Sequence, residues 1–235
     1  MTRIEDEARF YDEVGRLARA LGGPRQLAGS SAGDGWPRHG LYLFFEEGES
    51  RRDGSPRITR IGTHALRQQS KTMLWGRLAQ HRGHVGGRNP GGGNHRGSIF
   101  RLHVGAALID RNALPCGLQQ SWLSTQCHPV WAQHEDDLEH AVSLYIGRMP
   151  VVWLAIPTNL DGTNDRGYIE RNAIGLLSVL SGGRERPSQD WLGLRAPNPK
   201  IAASGLWNVN HVEEGYDPMF LEHLAQLIDR MPAAR

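Results

Sequence analysis

Gly40-Leu41-Tyr42-Leu43-Phe44-Phe45 and Ile58-Thr59-Arg60-Ile61-Gly62 decide the fold. Both runs are short, rich in β-branched and aromatic residues, and flanked by Gly, Pro and Ser, which is the composition of strands. The polar connection between them carries Asp53-Gly54 and makes the pair a hairpin with a long tip. Downstream, Leu74, Trp75 and Leu78 mark the buried stripe of a helix, and Arg77 and His81, four residues apart, share a neighbouring stripe from which both can face one ligand. Much later, Val151-Val152-Trp153-Leu154-Ala155-Ile156 is continuously apolar between Pro150 and Pro157, the pattern of a strand buried on both faces inside the main sheet. The segment Tyr168 to Leu180 repeats apolar residues at Ile169, Ala173, Leu176 and Leu180 and stops at Ser181-Gly182-Gly183, which predicts a helix with Glu170 in its first turn.

The order Gly40-Leu41-Tyr42, Arg60-Ile61-Gly62, Arg77 with His81, then Glu170 resembles the GIY-YIG endonuclease family. That family carries its namesake tripeptides on two antiparallel strands, an Arg/His pair on the first helix and a metal-binding Glu further on. The resemblance covers residues 38–81 and 150–181. It implies an α+β fold, a small antiparallel β-sheet flanked by helices, in a single elaborated domain over 1–235. Residues 82–149 are then a large insertion, the N-terminal helix (4–21) an addition, and residues 182–235 a C-terminal extension ending in a further helix.

The implied activity is metal-dependent hydrolysis of phosphodiester bonds by an endonuclease, with DNA as the first substrate class and RNA as the other, and Mg2+ or Mn2+ as the cofactor. Such chemistry needs a positioned water, a group to take its proton, and positive charge where the transition state gathers negative charge. By resemblance Tyr42 engages the attacking water, Arg77 stabilises the phosphate, His81 binds phosphate or adjusts the Tyr, and Glu170 holds the metal. The second tripeptide departs from the family at its first position, where Arg60 stands in place of Tyr. Arg60 either binds phosphate, favours ionisation of Tyr42, or marks weakened chemistry. His64, just past Gly62, is a lower-ranked catalytic candidate, and the family's late Asn falls on Asn198 or Asn208. A literal Tyr145-Ile146-Gly147 lies in a helical pattern and is coincidental.

Outside these blocks, Ile4, Phe10, Tyr11, Val14, Leu17 and Leu21 predict an amphipathic helix ending at Gly22-Gly23. Residues 82–97 are rich in Gly, Arg and His, and predict a mobile basic loop in which Arg82, Arg88, His95 and Arg96 could follow a phosphate backbone, with His84 and Arg101 nearby. Phe100-Arg101-Leu102-His103-Val104 alternates like a half-exposed strand, Asp136 to Ile146 is helical, and Asp217-Pro218 opens a last helix. Cys116, Cys127, His128 and His134 could offer four zinc donors, but the spacing is unlike that of a zinc finger, and reduced buried thiols are the better reading.

Composition narrows the field further. The chain has 235 residues, 39% hydrophobic, enough for one substantial core. A net charge of +2 argues against a protein that coats nucleic acid through bulk charge, while pI 8.7 leaves room for a local positive face. The cations are almost all Arg. Two Cys exclude a secreted disulfide framework, no apolar run approaches the ~18 residues of a membrane span, and the N-terminus lacks a cleavable apolar core, so the expected compartment is cytoplasmic. Two other readings fit these residues: a noncatalytic nucleic-acid-binding module on a degenerate nuclease scaffold, and a structural protein whose Gly/Arg loop and last helix contact another chain.

Overall fold

A computed structural model describes residues 2–66, 70, 72–84, 87, 89–159 and 164–231. The chain runs α1 (Arg3–Ala20), β1 (Arg25–Gln26), β2 (Gly40–Ser50), β3 (Pro56–Thr63), α2 (Leu74–Arg82), α3 (Ile99–Arg111), α4 (Cys116–Leu123), α5 (Ala132–Arg148), β4 (Pro150–Ala155), α6 (Arg166–Leu177), α7 (Pro199–Ser204) and α8 (Met219–Asp229). The four strands form one antiparallel sheet in the order β1-β4-β2-β3, with helices against both faces.

Two-sided burial explains why β2 from Leu41 to Phe45 and β4 are apolar. In β2, Leu41, Leu43 and Phe45 enter one core and Tyr42 and Phe44 the other, while in β4 Val152 and Leu154 share the first and Val151 and Trp153 the second. The register matches the faces: Leu43 pairs with Val152 and Ile61, and Tyr42 pairs with Trp153 and Gly62. Phe44 pairs with Arg60, which sets that guanidinium on the same face as the Tyr42 ring. The hairpin is longer than the sequence suggests, and its tip is only residues 51–55, closed by Arg51 N–H donating to the Ser55 carbonyl at 2.8 Å.

The first core is covered by α1, α6 and α8. The N-terminal helix is built into this core: Phe10, Val14 and Leu17 are buried, and a capping box between Thr2 and Glu5 starts it. The second core is covered by α2 to α5 and the segment from Trp191 to Trp207.

Three expectations change here. Residues 99–111 form the helix α3, not a half-exposed strand, because Arg101 and His103 are buried and their polarity does not mark solvent. The part of the basic stretch just before it, residues 89–97, is anchored rather than mobile: Glu139 on α5 accepts from the backbone and ring of His95 and from the buried Arg101, and Gly91 packs so closely on the Asp136 backbone that a Cβ there would lie 2.1 Å from its carbonyl oxygen. Cys116 and Cys127 are exposed, contrary to the reading of buried thiols, and among the described residues no three His, Cys, Asp or Glu side chains could hold a metal together. No described helix is long and apolar enough to cross a membrane.

Candidate active site

Both tripeptide glycines are required by close approach. A Cβ on Gly62 would lie 2.3 Å from the Tyr42 hydroxyl oxygen and 2.4 Å from the ring carbon that bears it, so only glycine lets the phenol lie across β3. A Cβ on Gly40 would lie 2.2 Å from the Leu154 carbonyl oxygen, so glycine is what allows β4 to sit tightly on β2.

The phenol laid across β3 ends at a hydrogen-bonded chain. The Tyr42 hydroxyl is 2.7 Å from His81 Nε2, and His81 Nδ1 is 2.8 Å from the Ser98 hydroxyl. Ser98 caps α3 by accepting the Arg101 N–H, and as a buried hydroxyl it needs an acceptor for its own proton. Among the described residues that acceptor is His81 Nδ1. This assigns the Nε2–H tautomer to His81, which then donates to the Tyr42 oxygen. Burial, then the Arg60, Arg77 and Arg101 charges, hold the His81 ring well below its ordinary value, so it is neutral at pH 7.

A cavity of about 540 Å³ opens beside this chain, lined by Tyr42, Arg60, His64, Arg77 and Glu170 among others. Tyr42 comes from β2, Arg60 from β3, Arg77 from α2 and Glu170 from α6, so four elements distant in sequence converge. Arg60 is buried beside Tyr42; its Nη1 donates to the Trp207 carbonyl at 3.0 Å, its guanidinium lies 4.5 Å from the Phe100 ring centre, and its Nε has no partner among the described residues. Burial pulls that guanidinium down from its ordinary value, and Tyr42 and Glu170 partly oppose the shift. Glu170 Oε1 accepts the Thr63 N–H at 3.2 Å. Burial pushes the Glu170 carboxyl up, and the charges of Arg60, His211 and Arg77 oppose it.

His64 lines the cavity with its Nε2 on the Arg38 carbonyl at 3.2 Å, and burial lowers it to about 4, so it is neutral at pH 7. His81, by contrast, is fully buried and does not line the cavity with Arg77. At 100° per residue it falls about 20° from Leu74, between Leu74 and Arg77 and beside the buried stripe, with Arg77 about 40° further round at the rim. It reaches the cavity only through Tyr42.

Of the two late Asn residues, Asn198 caps α7, whereas Asn208 lines the cavity. Asn208 accepts the Ile61 N–H at 3.1 Å and donates to the Ile61 carbonyl at 2.7 Å, and Trp207 N–H donates to Thr59 at 2.7 Å. With Glu170 on Thr63, these groups cover the outer edge of β3. Glu170 stands in the second turn of α6, because the helix begins at Arg166.

The basic segment is committed elsewhere. Arg82 donates to the carbonyls of Ser30 at 2.5 Å and Leu27 at 3.3 Å, and Arg96 grips Glu135 with two bonds of 2.7 and 3.1 Å. His95 stacks on Trp122 at 3.5 Å with both ring nitrogens bonded, and Arg88 lies outside the described residues. His211, which sequence reasoning missed, lines the cavity. A lone His in an aperiodic stretch carries no signal of its own.

The antiparallel sheet, its two helical layers and the paired glycine positions define an α+β domain of GIY-YIG type. The family model for the GIY-YIG domain matches residues 1–234, and the chain belongs to that family. Membership implies nuclease activity in general terms. No curated protein and no solved structure matches the chain.

Proposed function

We propose that this chain is a metal-dependent endonuclease that hydrolyses phosphodiester bonds in DNA. The supporting observation is the convergence of Tyr42, Arg60, Arg77 and Glu170 on one cavity whose lining places two guanidiniums against one carboxylate, a balance suited to a phosphate. The His81 Nε2–H donates to the Tyr42 oxygen and Arg60 lies beside it, so the phenol oxygen is held in place next to a cation at the cavity. In this reading Tyr42 engages the attacking water, and the Arg77 guanidinium stabilises the phosphate oxygens. Glu170 would hold the ion: one of its oxygens is engaged by Thr63, leaving the other for a hard cation that keeps most of its waters, as Mg2+ and Mn2+ do. When bound, the ion supplies charge neutralisation at the phosphate.

The test is incubation with plasmid and branched DNA across Mg2+ and Mn2+, with Glu170→Ala alongside. Metal-dependent cleavage that this variant loses is the expected result, and full cleavage by the variant refutes the assignment. Binding of DNA without turnover by the unaltered chain would instead make it a noncatalytic module.

A further inference from the structure

His211 holds an unusual backbone position for its type. Its φ is +64°, in the left-handed region that a side-chain-bearing residue enters at a cost, and such positions cluster at functional sites. His211 lines the cavity that contains Glu170, and its charge acts on that carboxyl.

The loop that carries His211 is tied to the helix that carries Glu170. Arg171, next to Glu170, pairs with Glu214 at 2.5 Å; Ser178 at the end of α6 donates to the Val212 carbonyl at 2.5 Å; and Gly175 lies so close to the Glu214 and Gly215 backbone that a Cβ would sit 2.9 Å from both carbonyl oxygens. The position of His211 relative to Glu170 is thereby fixed by three independent contacts.

Glu214 also determines which nitrogen is free. Its Oε1 is 2.9 Å from His211 Nδ1, and a carboxylate has no proton to give, so Nδ1–H donates. In the neutral ring the lone pair is then on Nε2, and the hydrogen bond described for this ring is the one at Nδ1. A carboxylate that fixes the imidazole tautomer from behind while the far nitrogen stays open is the arrangement of a metal-ligating histidine.

Resting on the reading of Glu170 as a metal ligand, we propose that His211 Nε2 is the second protein ligand of the same divalent ion. Two protein donors, one oxygen and one nitrogen, leave the remaining positions to water and substrate oxygens. An imidazole nitrogen favours a transition ion over a strictly oxygen-seeking one, so the site binds Mn2+ more tightly than Mg2+.

The experiment is Mn2+ titration of the whole chain without DNA, followed by electron paramagnetic resonance, with the nitrogen modulation of the bound ion as the second readout. His211→Asn is the variant of choice because Asn tolerates the left-handed backbone. The expected result is imidazole nitrogen modulation in the unaltered chain, lost in H211N together with at least about tenfold of Mn2+ affinity, and weakened affinity of about tenfold in Glu214→Gln. Bound Mn2+ without nitrogen modulation, or modulation that persists in H211N, overturns the proposal. Glu170→Gln separates the two readings: if it abolishes binding while H211N does not, Glu170 stands and His211 falls, and if it leaves binding intact, the Glu170 assignment falls and this proposal with it.

Discussion

Gly62→Ala tests whether the second tripeptide exists to make room for the first. The added methyl would lie 2.4 Å from the Tyr42 ring carbon that bears the hydroxyl, against an ordinary contact of at least 3.4 Å, so the ring must retreat by about 1 Å. Tyr42 is 1% exposed and is wedged against Phe44 and His81, so little slack exists. A retreat of that size stretches the 2.7 Å bond to His81 beyond hydrogen-bonding range and leaves a buried donor unpaired. Overpacking costs about 1–3 kcal/mol and the orphaned group a similar amount, so a loss of about 2–6 kcal/mol is expected. For a chain of this size that is a fall in Tm on the order of 10 °C. Thermal denaturation followed by circular dichroism reads it, and a double-mutant cycle with Tyr42→Ala locates it. In the Tyr42→Ala background the glycine substitution should cost under about 0.5 kcal/mol. A penalty equal in both backgrounds would show that the glycine serves the strand and not the phenol.

Three further outcomes follow from named contacts. Burial holds His64 and His103 at about 4 in the fold against 6.5 for the free group, so their neutral forms stabilise the protein above pH 6.5 and that contribution is lost as pH falls through 4, at most about 3 kcal/mol each. His103→Leu should flatten the fall in urea-measured stability between pH 7 and pH 4.5, and an unchanged slope would contradict the assignment. Asn208→Leu strips both Ile61 backbone groups of their partner and should cost about 2–4 kcal/mol, with faster hydrogen exchange localised to Ile61. Arg60→Leu removes a buried cation with an unpaired Nε, so we expect stability equal to or above that of the unaltered chain while cleavage falls about 100-fold; a large loss of stability would mean that the Trp207 and Phe100 contacts outweigh desolvation.

The strands were legible because two cores, one on each face, force apolar residues from Leu41 to Phe45 in β2 and along β4, and a short unbroken apolar run between turn residues is the direct imprint of that two-sided burial. The tripeptide glycines and Tyr42 were legible through their order along the chain. What failed was every inference that equated charge with solvent. Arg101, His103 and His95 are buried, and the carboxylates that satisfy Arg96, Arg101 and His95 lie 38 to 44 residues away on α5, a separation that local pattern cannot bridge. The same blindness hid His81, whose ring completes an apolar stripe, and His211, whose partner Glu214 has meaning only once the loop is folded onto α6.

The cavity lies where it does because β3 is an edge strand. Its outward N–H and C=O groups must be satisfied or they invite another strand, and here Trp207, Asn208 and Glu170 satisfy them in succession along Thr59, Ile61 and Thr63. Glu170 therefore has two duties: as an acceptor it closes the edge, and as a charge it equips the cavity. The duties are separable. Glu170→Gln keeps a carbonyl oxygen for Thr63 and removes the charge, whereas Glu170→Ala frees a backbone donor at a cost of about 1–3 kcal/mol. Burial raises the Glu170 carboxyl above its unfolded value, so its contribution to stability is full at low pH and is lost as pH rises through the folded value. Where it is ionised the side chain is thus a burden on the fold, and Glu170→Gln should be at least as stable as the unaltered chain while losing cleavage. A Gln variant that melts lower at pH 7, but not at pH 4, would show that the carboxylate is kept for the stability of the sheet edge and not for chemistry.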